Sequence, residues 1–164
     1  MQRPSFTGID CSMAQSLEVV GEWWSLMIVR EVFFGRHRFE EMSDDLGIAR
    51  NTLTNRLNRL VEEQVLERRA YSASGQRAEY HLTPRGLELF QVLVALLEWG
   101  NKWRPLPGGP PTVMVHACGE ETTPVLVCDR CRAEVSPENL RLRPGPTHVD
   151  DPHHPLVRAR KARA

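Results

Sequence analysis

The sequence predicts a mainly α-helical fold with a small β component, in two unequal parts. Three observations carry this expectation. Between Ser12 and Trp103 apolar residues recur every three or four positions, the period of amphipathic helices. Two short alternating runs, VLERRAY and AEYHLT, flank the polar SASGQR and read as one hairpin. RPLPGGPPT, residues 104–112, then excludes helix and leads into a segment bearing cysteines. A chain of 164 residues has room for one core of roughly 100 residues and a smaller appendage.

Taken in order, SMAQSLEVVG places Met13, Leu17 and Val20 at helical spacing and is broken by Gly21. EWWSLMIVREVFFG is apolar on most sides, as a buried central helix would be, with Trp23 and Trp24 expected among its heaviest packing groups and Gly35 at its close. RFEEMSDDLG sets Phe39, Met42 and Leu46 on one side and stops at Gly47. GIARNTLTNRLNRLVEEQ resumes a helix after two or three residues, and helices joined so tightly form a helix-turn-helix. The hairpin at about 65–82 is then its wing. TPRGLELFQVLVALLEWGNKW opens with Thr83 as N-cap and Pro84 at the first helical position, then runs about five turns with Leu87, Phe90, Leu93, Val94 and Leu97 inward. The predicted organisation is a winged helix-turn-helix domain over 1–104, a small β-rich, zinc-ribbon-like segment over 105–142, and a disordered tail over 143–164. No internal repeat is apparent.

Composition excludes little by itself. Hydrophobic residues make up 41% and charged ones 26%, and 21 basic side chains balance 21 acidic ones, so any electrostatic preference must lie in local distribution. No run approaches 18 apolar residues, and the N-terminus lacks the charged start and apolar stretch of a secretory signal. The expectation is a cytoplasmic protein without membrane contact, its cysteines thiols, ligands or redox sensors. G-x-x-x-x-G-K-[ST], G-x-S-x-G and H-E-x-x-H are absent, and Asp44 and Asp45 point to different sides of their helix. An enzyme is not expected.

The most informative stretch is NTLTNRLNRLVEE. On a helix it gathers Leu53, Leu57, Leu60 and Val61 on one side and Asn51, Asn55, Asn58 and Arg59 on the other, with Arg50, Thr52, Thr54 and Arg56 beside them. Asparagine and threonine are weak helix formers, so stability alone would not choose them. Asparagine can bond adenine twice at its major-groove edge, arginine can do the same with guanine, and threonine reaches phosphate or a thymine methyl. From Arg50 to Val61 no acid repels a phosphate. These residues imply a recognition helix at about 49–63 in the major groove of double-stranded DNA. Arg50, Asn51, Thr52, Asn55 and Arg59 would approach bases, while Thr54, Arg56, Arg38 and Arg77 would hold phosphates or the minor groove. A winged-helix module that docks another protein through the same face is the alternative.

CSMAQSLEVVGEWWSLMIVREVFFGRHRFEEM, GIARNTLTNRLNRLVEEQVLERRAY, AEYHLTPRG and LLEWG together resemble the HxlR-type winged-helix transcription regulators, relatives of the MarR group. The resemblance spans residues 11 to about 103. It implies a homodimer on a near-palindromic operator, paired through terminal helices, here the helix ending in Trp99 and Trp103 and the first helix with Leu17. Those side chains could equally complete the monomer core. The resemblance also admits a small-molecule or redox effector. The sequence departs from the pattern at Ala49, where a serine N-cap is common, and in a wing without prolines.

Four cysteines remain. Cys11 stands just before the first helix, where some members of the resembled family sense oxidants, although a lone thiol is also a common packing residue. His116, Cys118, Cys128 and Cys131, in HACG and CDRC, offer four ligands suited to a structural zinc ion and a ribbon too poor in apolar groups to fold unaided. His116 and Cys118 would need a bend to converge, and Arg132 occupies a place where zinc knuckles commonly have glycine. A hairpin with metal-free thiols, or a redox-active Cys128 and Cys131 pair, is the competing reading. His148, His153 and His154 belong to the tail and are expected in solvent.

Overall fold

The structure, a computed structural model, describes residues 5–6, 11–71, 77–143 and 145, in two compact units, Met1–Thr112 and Val113–Ala164. The wing tip at 72–76 and the tail expected to be disordered, apart from Arg143 and Gly145, lie outside the described residues.

The first unit runs α1 (Ser12–Val20), α2 (Trp23–Phe33), α3 (Phe39–Leu46), α4 (Arg50–Glu62), β1 (Leu66–Ala70), β2 (Ala78–Leu82), α5 (Pro84–Leu87) and α6 (Phe90–Trp103). Its core is built where the apolar stripes meet: Ile28, Val29 and Val32 of α2, Met42 of α3, Leu53, Leu57 and Leu60 of α4, Val65 and Leu66 at the head of β1, and Tyr80 of β2. Burying each such side chain contributes about 1.5–3 kcal/mol, which fixes the helices by their stripes rather than by propensity.

The turn between α3 and α4 follows from one residue. Gly47 adopts a left-handed conformation with φ of 60° and its amide donates to the Ser43 carbonyl, so α3 stops and Ile48 is delivered to the core. α4 starts at Arg50 with no side-chain cap from Ala49. The wing is antiparallel, in register from Leu66 opposite Leu82 to Ala70 opposite Ala78. Its outer partner is the segment entering α3: Arg38 bridges Glu79, and the Tyr80 amide donates to the His37 carbonyl at 2.8 Å. Wing and helix-turn-helix are thus joined by backbone.

Three expectations need correction. Trp24 packs on the core, but Trp23, the first residue of α2, is 89% exposed, because the helical period puts it on the side opposite Ile28, Val29 and Val32. The last helix is interrupted: α5 and α6 are separate, the Leu89 amide taking the Gly86 carbonyl three residues back. No residue of α6 is fully buried; Leu89, just before it, and Leu93 pack on the core, while Leu87 and Phe90 are exposed. In the second unit the β structure is confined, among the described residues, to single bridges at Val115–Glu121 and Val127–Glu134. With few apolar residues and no second layer, longer strands would expose more backbone than they cover.

Candidate nucleic-acid interface

α4 presents the face that its sequence pattern implied. With Leu53, Leu57 and Leu60 wholly buried, the 3.6-residue period leaves Asn51, Thr54, Asn55 and Asn58 exposed and Thr52, Arg56 and Arg59 half-buried at the edges. The side-chain amides of Asn51, Asn55 and Asn58 make no hydrogen bond among the described residues. Thr54 donates to the Arg50 carbonyl at 2.9 Å, an engagement internal to the helix.

The arginines divide. Arg56 has no ion-pair partner among the described residues. Arg50 grips Glu40 of α3 with both terminal nitrogens, at 2.6 and 2.8 Å, and lies over the Phe39 ring at 4.7 Å. The hydrogen bond from Arg50 holds the Glu40 carboxyl below its ordinary pKa. Arg59, one turn before the helix end, meets Glu63 at 2.6 Å and Glu62 at 3.7 Å. With Asn55, Arg56 and Asn58 it lines an open concavity of about 450 Å³ whose far side carries Glu18 and Glu22. Acid therefore gathers most densely around Arg59 at the C-terminal end of α4, whereas at the N-terminal end Glu40 is the acid that pairs with an arginine of the helix.

The wing adds cations. Arg38 binds Glu79 at 3.1 Å and stacks over Tyr71 at 5.1 Å, and its hydrogen bond keeps the Glu79 carboxyl below the usual range. Arg77 is exposed at the foot of β2, its carbonyl taken by the Tyr71 amide. Sequence reasoning passed over Arg68 and Arg69, exposed on β1, with Arg69 paired to Glu67. The adjacent arginines of LERRAY were the signal.

Cys11 is exposed at the N-cap of α1, its carbonyl accepting from Gln15. In the second unit His116 Nδ1 stands 3.3 Å from Cys118 Sγ. The amides of Cys131 and Arg130, and the Cys131 thiol, donate to Cys128 and lower its pKa. Among the described residues no three His, Cys, Asp or Glu side chains stand together where one ion could be held. None of the described helices is long and apolar enough to cross a membrane.

Residues 19–106 match the HxlR-like helix-turn-helix family. An uncharacterised HTH-type transcriptional regulator of Mycobacterium tuberculosis, Rv3095, is 44% identical over 136 residues, covering 82% of this chain and 86% of its own. The crystal structure of PA1607, described as a candidate transcription factor, superposes with a TM-score of 0.75 at 32% identity over 85% of this chain and 99% of its own. That of PA1374 of Pseudomonas aeruginosa, described likewise, gives 0.61 at 37% identity over 85% and 96%. A span of 85% is about 139 residues, more than the 112 of the first unit, so these likenesses extend into the second.

Proposed function

Since the chain belongs to the HxlR-like helix-turn-helix family, we propose that it regulates transcription as a homodimer on double-stranded DNA, laying α4 in the major groove. The observation that carries this reading is a row of exposed asparagine amides at 51, 55 and 58 without partners among the described residues, on a helix held from behind by three wholly buried leucines. An amide both donates and accepts, which suits it to the edge of adenine. The N-terminal end of the helix reaches deepest in helix-turn-helix complexes. Asn51, Thr52 and Asn55 would read bases from there. Arg50, Arg56, Thr54, Arg38 and Arg77 would take phosphates or the minor groove, and Arg59, held among acids, would act at the margin. One such helix spans only a few base pairs. Two related by a twofold axis would read half-sites about 10 base pairs apart or a multiple of that, on a near-palindromic operator.

α6 supports the pairing. Val92, Leu96, Trp99 and Trp103, spaced four, three and four, are 43%, 50%, 59% and 61% exposed. Such a stripe would suit the seam between two packed helices.

The test is selection of duplexes from a random pool, followed by titration of the selected site and of random sequence at two salt concentrations. Binding should weaken steeply with salt, and Asn55→Ala should reduce the preference for the selected site by about 1–3 kcal/mol while leaving binding to random sequence unchanged. Failure to enrich any sequence, with salt-insensitive absence of duplex binding, would favour a protein-docking module instead.

A further inference from the structure

The second unit contains two turns of the same design, which the sequence does not announce because they differ in length and in one ligand type. In the first, the His116 amide bonds the Glu120 carbonyl at 3.0 Å and the Gly119 amide returns to the His116 carbonyl at 2.8 Å. In the second, the Cys128 amide bonds the Ala133 carbonyl at 2.8 Å and the Arg132 amide returns to the Cys128 carbonyl at 2.9 Å. Two apolar residues lead into each turn, Met114 and Val115 in one, Leu126 and Val127 in the other, and one bridge closes each, at Glu121 and Glu134. A ligand-type side chain opens each turn, His116 or Cys128. A cysteine follows, Cys118 or Cys131, and immediately after it the backbone turns left-handed, with φ of 93° at Gly119 and 62° at Arg132.

The correspondence continues in the side chains. His116 Nδ1 and Cys118 Sγ lie 3.3 Å apart, so the turn supplies the bend that a strand would lack. Two ligands roughly 2.0–2.3 Å from a tetrahedral ion are about 3.5 Å from each other. In the second turn the backbone N–H groups of Cys131 and Arg130 and the Cys131 thiol are directed at Cys128, so the two thiols of CDRC stand on one side of the turn, within hydrogen-bond reach of each other. Arg132 keeps the left-handed conformation without being glycine, which costs on the order of 1–2 kcal/mol. No side chain from 113 to 143 is buried, so apolar packing does not order this segment. Among the described residues no three of these side chains stand together, so a shared ion requires the two turns to close on it.

We propose that the two turns are halves of one tetrahedral site for a thiophilic divalent ion of the zinc class, with His116 Nδ1 and the sulfurs of Cys118, Cys128 and Cys131 as its four ligands. The three thiols release their protons to solvent on binding, His116 coordinates as neutral imidazole, and nothing is oxidised. Four protein ligands leave no open position, so the ion is structural.

The reduced full-length chain is titrated with cobalt(II) and then with zinc. One cobalt per chain should bind with the strong visible absorption of tetrahedral coordination and a near-ultraviolet thiolate band of three sulfurs, and zinc should displace it. Cys131→Ser, Cys118→Ser and His116→Ala should each weaken binding more than about 100-fold, beyond the loss usual for a residue that only supports a ligand; Cys11→Ser should change nothing. The helical circular dichroism of the first unit shows whether each variant is folded. Absence of stoichiometric cobalt would overturn the site. So would full thiolate intensity in Cys118→Ser, or unchanged affinity in His116→Ala, since either leaves the first turn outside the coordination sphere. None of these outcomes depends on DNA binding.

Discussion

Each residue of RFEEM has a separate task, and together they fix α3 against α4, the wing and the core. Arg38 ties α3 to the wing through Glu79, Phe39 packs on the core and under Arg50, Glu40 receives Arg50, Glu41 caps the helix by accepting from the amides of His37 and Arg38 at 3.1 and 3.0 Å, and Met42 is wholly buried. The Arg50–Glu40 pair is exposed on both sides. Such pairs are worth little, and a phosphate can replace the carboxylate. Glu40, held below its ordinary pKa by Arg50, keeps its charge throughout the neutral range and, on the proposed function, would compete with DNA for that arginine. Glu40→Gln should therefore tighten binding to random-sequence duplex about five-fold at low salt, the effect of one charge near 4 Å in water, and sharpen the salt dependence. Fluorescence anisotropy at two ionic strengths reads both quantities. Weaker binding would mean that Glu40 positions Arg50 rather than occupying it. The leucine stripe and the asparagine face of α4 were legible in the sequence because both depend on a local period. The arginine pairings were not, since Glu40 lies 10 residues from Arg50 and Glu79 lies 41 from Arg38.

Among the elements, the junction of α4, β1 and α5 shows why TPRG follows the wing. The Thr83 amide donates to the Val65 carbonyl at 3.1 Å, and its hydroxyl accepts from the Gly86 amide. Pro84 begins the helix, and Arg85 reaches back to the Glu63 carbonyl at 2.7 Å, closing the end of α4. Gly86 then passes so near β1 that a Cβ would stand 2.1 Å from the Val65 oxygen and 3.0 Å from Leu82 Cδ2. The obstacle is backbone and cannot rotate away. Gly86→Ala should destabilise the first unit by about 1–3 kcal/mol or more, seen in denaturant melts as a lower midpoint with unchanged slope. An unchanged midpoint would show that α5 shifts without cost. Thr83 and Pro84 were readable as a helix start from their types alone. The break before α6 was not: apolar spacing runs on through Leu87 and Phe90, and Glu88 and Leu89 keep helical dihedrals while the hydrogen bonding tightens.

For the whole molecule, the decisive question is what covers α6. An apolar stripe of four side chains including two tryptophans, none fully buried, is more than a solvated helix needs. Sequence alone left these residues divided between monomer core and partner. In the structure the division falls along the helix wheel, Leu93 packing inward and Val92, Leu96, Trp99 and Trp103 outward. Period identifies which residues share a side, but whether that side faces its own chain depends on where the neighbouring elements end. Because the outward set adds nothing to the core, Trp99→Glu should leave the chain folded with unchanged helical circular dichroism, its melt losing only the concentration-dependent stabilisation that pairing supplies. It should nevertheless convert a dimer to a monomer in sedimentation velocity, as a charge would be buried unpaired at the seam. DNA binding should change in step: with one recognition helix in place of two, phosphate contacts fall by half, and the slope of log affinity against log salt should fall by about half as well. A variant that remains dimeric with its full salt slope would place the twofold axis on another surface and leave the α6 stripe to a different partner.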